Sequence, residues 1–129
     1  MLITSIPQYI QGLTNAKVDL TNTNDTVLYT APSDSDFNAS VVSSLLVSND
    51  SGSADTITVT LISGSDTFSV YKLEEGGALS TKELLSKDLI MQSGEVLKVQ
   101  AATGARLHVI ASIQELTKTR ITTSALANI

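Results

Sequence analysis

From about residue 16 to residue 116 the chain alternates apolar and polar side chains with a period of two, and turn formers cut the pattern at short intervals. Successive side chains of a strand point to opposite faces, so this pattern specifies half-buried strands and excludes long helices. Val18 and Leu20 open it. Val27 and Tyr29 continue it as one face of a run that Pro32 and the polar residues 33–36 end. Residues 40–48 (SVVSSLLVS) are nearly continuous in apolar character and read as a strand covered on both sides. After the turn formers of 49–54 (NDSGSA), the run TITVTL at 56–61 puts Ile57, Val59 and Leu61 on one face.

Ser63-Gly64-Ser65-Asp66 is a hairpin signal, because Gly64 can take the positive φ of a primed turn. The return strand at 67–73 places Phe68 and Val70 inward, and Glu74-Glu75-Gly76-Gly77 breaks it. Residues 80–89 admit two readings. A strand-loop-strand fits the spacing, while Ser80-Thr81-Lys82-Glu83 also has the form of a capping box for a short helix presenting Leu84, Leu85 and Leu89. Gln92-Ser93-Gly94-Glu95 and Thr103-Gly104 are the next turns, and the alternation ends with Leu107, Val109, Ala111 and Ile113. The expectation is all-β: an antiparallel β-sandwich of roughly seven to nine short strands, jelly-roll or immunoglobulin-like, with the helix near 80–89 as a variant.

Ahead of this body lies a segment of different character. Residues 1–16 contain no Asp, Glu, Lys or Arg, yet carry Leu2, Ile3, Ile6, Tyr9, Ile10 and Leu13. Contiguous apolar surface of this kind marks interaction sites. Behind the body, residues 117–129 carry Lys118 and Arg120 with no acidic side chain, together with Ile121 and Leu126. The chain therefore divides into an assembly arm (1–15), a sandwich domain (16–116) and a tail (117–129). The ten residues named here, six in the arm and four in the tail, are the expected contacts with other subunits. Both ends suit pairing with a neighbour's open sheet edge.

Composition narrows the function. Only 16% of residues are charged, with 17 Ser and 16 Thr in their place. The formal net charge of −5 opposes binding to a nucleic-acid backbone. The chain has no cysteine, so disulfides and thiolate metal sites are excluded. No run approaches the ~20 apolar residues of a membrane span, and the N-terminus reads as lacking a signal peptide.

His108 is the single histidine, and the alternation sets it on the solvent side of a strand. A Ser-His-Asp relay would need an oriented acid and an oxyanion hole, and no nucleophile-elbow glycine pattern occurs. Asp34-Ser35-Asp36 and the loop at 49–55 offer oxygens to a hard cation but lack a distal bidentate Glu. Glu74-Glu75 with Glu83 or Asp88 are the conceivable carboxylate pairs, but without Trp a sugar cleft has few stacking platforms. The expectation is a protein that is not an enzyme, with no cofactor and no metal.

Four stretches then combine into a recognisable outline: Val27-Leu28-Tyr29-Thr30-Ala31-Pro32, Ser44-Leu45-Leu46-Val47-Ser48-Asn49, residues 51–59 (SGSADTITV) and residues 89–101 (LIMQSGEVLKVQA), closed by LHVIASIQE at 107–115. Over about two-thirds of its length the chain resembles the small β-sandwich virion proteins of tailed bacteriophages. It departs from them at Asp34-Ser35-Asp36-Phe37 and in the apolar cluster of 84–89. The resemblance implies a non-enzymatic structural subunit present in many copies, made in the host bacterial cytoplasm and located in the virion as a head decoration, neck or collar, or tail component. Its partners would be itself, as a trimer or ring, and other virion proteins, with neither nucleic acid nor membrane. The alternative is a receptor- or glycan-binding module of a fibre, using loops such as 49–55.

Overall fold

The computed structural model describes residues 9–118, with side chains from residue 12. The described residues form nine strands and no helix: β1 (Tyr9–Leu20), β2 (Thr26–Thr30), β3 (Phe37–Asn49), β4 (Asp55–Ser63), β5 (Asp66–Gly76), β6 (Ser80–Glu83), β7 (Leu89–Met91), β8 (Val96–Ala101) and β9 (Leu107–Thr117). Every pairing is antiparallel. One sheet has the order β1-β9-β3-β6, with β7 also on β3, and the other has the order β2-β8-β4-β5.

The pairings nest from the two ends of the chain inward. First pairs with last (β1 with β9), second with second-last (β2 with β8), β3 with β6 and β7, and β4 with β5 at the tip. A long hairpin rolled up in this way is the jelly-roll arrangement, with β6 and β7 sharing one strand position. The tip is the two-residue turn Gly64-Ser65, between the paired Ser63 and Asp66. Gly64 has φ +62 and takes the left-handed position that the turn demands.

The core lies between the sheets and is aliphatic. Val42, Leu45 and Val47 of β3 and Leu107, Val109, Ala111 and Ile113 of β9 face Ile57 and Val59 of β4 and Leu97 and Val99 of β8, all at 2% exposure or less. The alternation of TITVTL and LHVIASI produces these inward rows directly. Truncating any large member leaves a cavity that costs about 2–5 kcal/mol.

Three expectations differ from what is found, and of the two readings open at 80–89 the strand-loop-strand is the one the chain adopts. The sheet begins at Tyr9, so Tyr9, Ile10 and Leu13 of the arm are strand residues paired with β9. Residues 80–89 contain no helix. The Glu83 carboxylate accepts hydrogen bonds from the Ser44 hydroxyl and the Leu45 N–H, and the Leu84 N–H donates to the Leu45 carbonyl at 2.9 Å. These long-range bonds hold β6 against β3 and turn Leu84 into the core, which outweighs a local cap. Val27 and Phe68 are half exposed, at 51% and 54%. A register shift between Val27 and Tyr29 separates their faces, so Leu28 is buried in place of Val27, and Phe68 lies on the exposed first part of edge strand β5. Finally, β3 is buried on one face only, its Val41 and Leu46 remaining partly open.

Candidate functional site

The outer face of the first sheet is built from the residues that alternate away from the core. Leu13, Asn15, Lys17 and Asp19 of β1 stand opposite Gln114, Ser112, Ile110 and His108 of β9. Val41 and Leu46 of β3 continue the face, and Ile90 of β7 sits opposite Val41. Leu13 (73% exposed), Ile90 (52%) and Ile110 (42%) are its most exposed apolar residues, separated from one another by serines and amides.

Among the described residues β1 also forms one border of this sheet. Backbone groups of alternate strand residues point to opposite sides, and their direction here is fixed by two bonds. The Leu20 carbonyl accepts from the Ala105 N–H at 2.7 Å, on the β9 side, whereas the Asp19 carbonyl accepts from the Thr21 N–H at 3.0 Å. By alternation Ala16 and Val18 direct their backbone toward β9, while Leu13, Asn15 and Lys17 direct theirs to the open border. The other borders are short or blunted. β2, β6 and β7 have five, four and three residues. β5 carries Lys72, Glu74 and Glu75, register shifts around Val59, and Leu73 at φ +54. Charges, bulges and brevity are how natural sheets protect their edges. β1 has twelve residues, two opposite charges and one register shift, between Ile10 and Gly12, which leaves the stretch from Leu13 to Leu20 regular and open.

The sequence candidates distribute as follows. Leu13 is exposed on the outer face, and Tyr9 and Ile10 lie on β1. Lys118 is exposed, and its N–H donates to the Asp36 carbonyl at 2.8 Å. Leu2, Ile3, Ile6, Arg120, Ile121 and Leu126 lie outside the described residues. Tyr9 pairs with Thr117, so β1 starts and β9 ends side by side.

Asp19, His108 and Ser48 stand opposite one another across β1, β9 and β3, an order that alternation alone did not reveal. The His108 imidazole Nε2 lies 3.3 Å from the Asp19 carboxylate, and the Ser48 hydroxyl accepts from Thr81 at 3.3 Å. Acyl transfer also needs donors aimed at a developing oxyanion. On a sheet face the backbone N–H groups lie in the plane of the strands and cannot converge above it.

The loop polar groups considered for cations or sugars bind their own backbone. The buried Asn49 amide donates to the Ser53 and Gly76 carbonyls and accepts from the Ser51 N–H and hydroxyl. The Asp55 carboxylate accepts from the N–H groups of Thr56, Thr103 and Gly104 at 2.8–3.0 Å. Burial pushes its pKa up, but the bonds from Gly104, Thr56 and Thr103 outweigh burial and hold it below the usual value. Glu83 behaves alike: burial is outweighed by Ser44 and the N–H groups of Leu45, Leu85 and Leu84. Glu74 is paired with Lys82. Among the described residues, no group of three or more His, Cys, Asp or Glu is placed to hold a metal ion and no helix is long and apolar enough to cross a membrane.

No family model matches the chain, and no curated protein matches it. Among solved structures it is similar to one described as the structure of infectious bursal disease virus Gx strain, with 10% identity, 84% of this chain covered and a TM-score of 0.48. The chain spans about a third of the length of that structure's chain (32%).

Proposed function

We propose that this protein is a non-enzymatic structural subunit of a tailed-phage virion that self-associates through its chain ends and its open sheet border. The observation that carries the reading is the pairing of Tyr9 with Thr117, which starts the charge-free apolar segment 1–8 and the acid-free segment 119–129 from one corner of the sandwich. Ends so placed reach the same neighbour, where Leu2, Ile3, Ile6, Tyr9, Ile10 and Leu13 supply apolar contact and Lys118, Arg120, Ile121 and Leu126 supplement it. The jelly roll suits the role, since capsid domains use it, as do lectins. The exposed Leu13, Ile90 and Ile110 of the outer face give further apolar contacts for neighbouring virion proteins.

The test is absolute mass by light scattering, on the full chain and on a version lacking 1–8 and 119–129, which keeps all nine strands. A mass above one chain that falls on truncation supports the reading. A mass unaffected by truncation overturns assembly through the ends and favours the glycan- or receptor-binding alternative, for which binding to a glycan array is the direct measurement.

A further inference from the structure

We infer that the open border of β1 pairs antiparallel with the same strand of a second copy, with Val18 on the two-fold axis and Lys17 facing Asp19 of the partner. This rests on the reading of the chain as a self-associating subunit and names the contact. Three observations select the occupant and the register.

The first is the backbone. Lys17 and Asp19 direct their N–H and C=O groups to the open border, so when they lie opposite each other across the axis they exchange both hydrogen bonds. The Asp19 carbonyl already accepts from Thr21 and has a second lone pair to give. The second is the pleat. Directly opposite residues of an antiparallel pair share a face, so strand and copy continue one sheet only when positions of equal parity meet. The third is charge. Lys17 and Asp19 are the only charged residues of β1. Placing either on the axis opposes like charges, which destabilises a pair. Moving the axis to Ala16 sets Asp19 against Leu13. With Val18 on the axis, Lys17 meets Asp19 twice, and Ala16 meets Leu20.

The paired stretch is Ala16–Leu20 on each copy, five residues, an ordinary strand length. Ala16 and Val18, partly open at the border of the core, gain cover from the partner. Asp19 then lies between His108 of its own chain, at 3.3 Å, and Lys17 of the second copy. The contact is isologous, so larger assemblies that use it contain an even number of chains.

Two measurements on the full chain test this. Lys17→Asp and Asp19→Lys each replace two attractive pairs by two repulsive ones, and the expected result is an increase of about tenfold or more in the dissociation constant by sedimentation equilibrium. The double variant restores opposite charges and regains the wild-type value. Both side chains are exposed, so folding is unaffected. Second, Val18 on the axis is a non-hydrogen-bonded pair with Cα atoms about 4.5 Å apart, within disulfide range. Val18→Cys in this cysteine-free chain is expected to form a covalent dimer under mild oxidant, whereas Asn15→Cys is not. Silent charge reversals with no Val18→Cys dimer, in a chain whose mass still falls on loss of its ends, overturn the border contact and leave the virion-subunit reading standing. A covalent Val18→Cys dimer with mass insensitive to truncation does the reverse. A wild-type monomer at its highest soluble concentration overturns both.

Discussion

The Tyr29 hydroxyl donates to the Glu115 carboxylate at 2.5 Å across 86 residues of sequence, joining β2 of one sheet to β9 of the other. The Ser40 hydroxyl lies 2.7 Å from the same phenol oxygen, so that with the phenol proton on Glu115 the serine is the donor. The second and last strands are thus latched together across the two sheets, beside Ser40 of β3, the residue paired with Glu115.

Replacing Tyr29 by Phe leaves Ser40 and Glu115 without this partner, and the expected cost is about 1–2 kcal/mol by urea denaturation. Burial first, then the bond to Glu115, raise the phenol above its ordinary value. A raised folded pKa gives stability that is intact below the unfolded value, about 10, and is lost as pH rises beyond it. The wild type should therefore lose stability above about pH 10 more steeply than Tyr29→Phe.

Asp55 carries the opposite dependence. Its folded pKa is depressed, so its contribution is present above the unfolded value, about 4, and is lost as pH falls through the lower folded value. Asp55→Asn should cost about 1–3 kcal/mol at neutral pH, because one of three backbone donors loses a charged acceptor. Its acid-side loss of stability should be shallower than that of the wild type, as read by denaturant midpoints between pH 7 and 3.

Gly104 has φ +90, and a Cβ there would stand 3.0 Å from the backbone of Asn22. Gly104→Ala combines strain with a backbone clash that no rotamer relieves. The expected loss is about 1–3 kcal/mol, measured as a lower denaturation midpoint at unchanged m-value.

Leu79 presents the reverse case. It is 74% exposed and has φ +52, a left-handed conformation that costs a non-glycine residue about 1–2 kcal/mol. Glycine removes that strain at a smaller cost in chain entropy and keeps the N–H bond to the Ser51 carbonyl at 3.1 Å. Leu79→Gly should raise stability by up to about 1 kcal/mol in thermal unfolding.

The inward rows of β4, β8 and β9 were legible because alternation depends on nothing beyond the strand itself. Gly64, Gly94 and Gly104 were legible for the same reason: each sits at a turn and each has positive φ. Phe68 and Val27 were not, because alternation assigns a face but cannot say whether an opposing layer covers it or a bulge has shifted it. Tyr9, Ile10 and Leu13 read as an arm because a charge-poor strand and a charge-poor extension look alike until the partner strand is known. That partner, β9, lies about a hundred residues away. The alignment of Asp19, His108 and Ser48 and the open border of β1 have the same origin: both are set by which strands are neighbours, and strand order is non-local.

The central position of β9 between β1 and β3 bears on how the molecule is made. During synthesis β1, β3, β6 and β7 leave the ribosome before their sheet has its middle, and β1 waits with both borders unpaired until residues 107–117 emerge. Pairing of this sheet therefore waits for residues 107–117, and with so many long-range pairings it is slow compared with a helical domain of this size. Crowded nascent chains bearing unpaired strands are the hazardous stage. A stop codon placed before Leu107 should yield an aggregation-prone product, even though most of the core side chains would already be present.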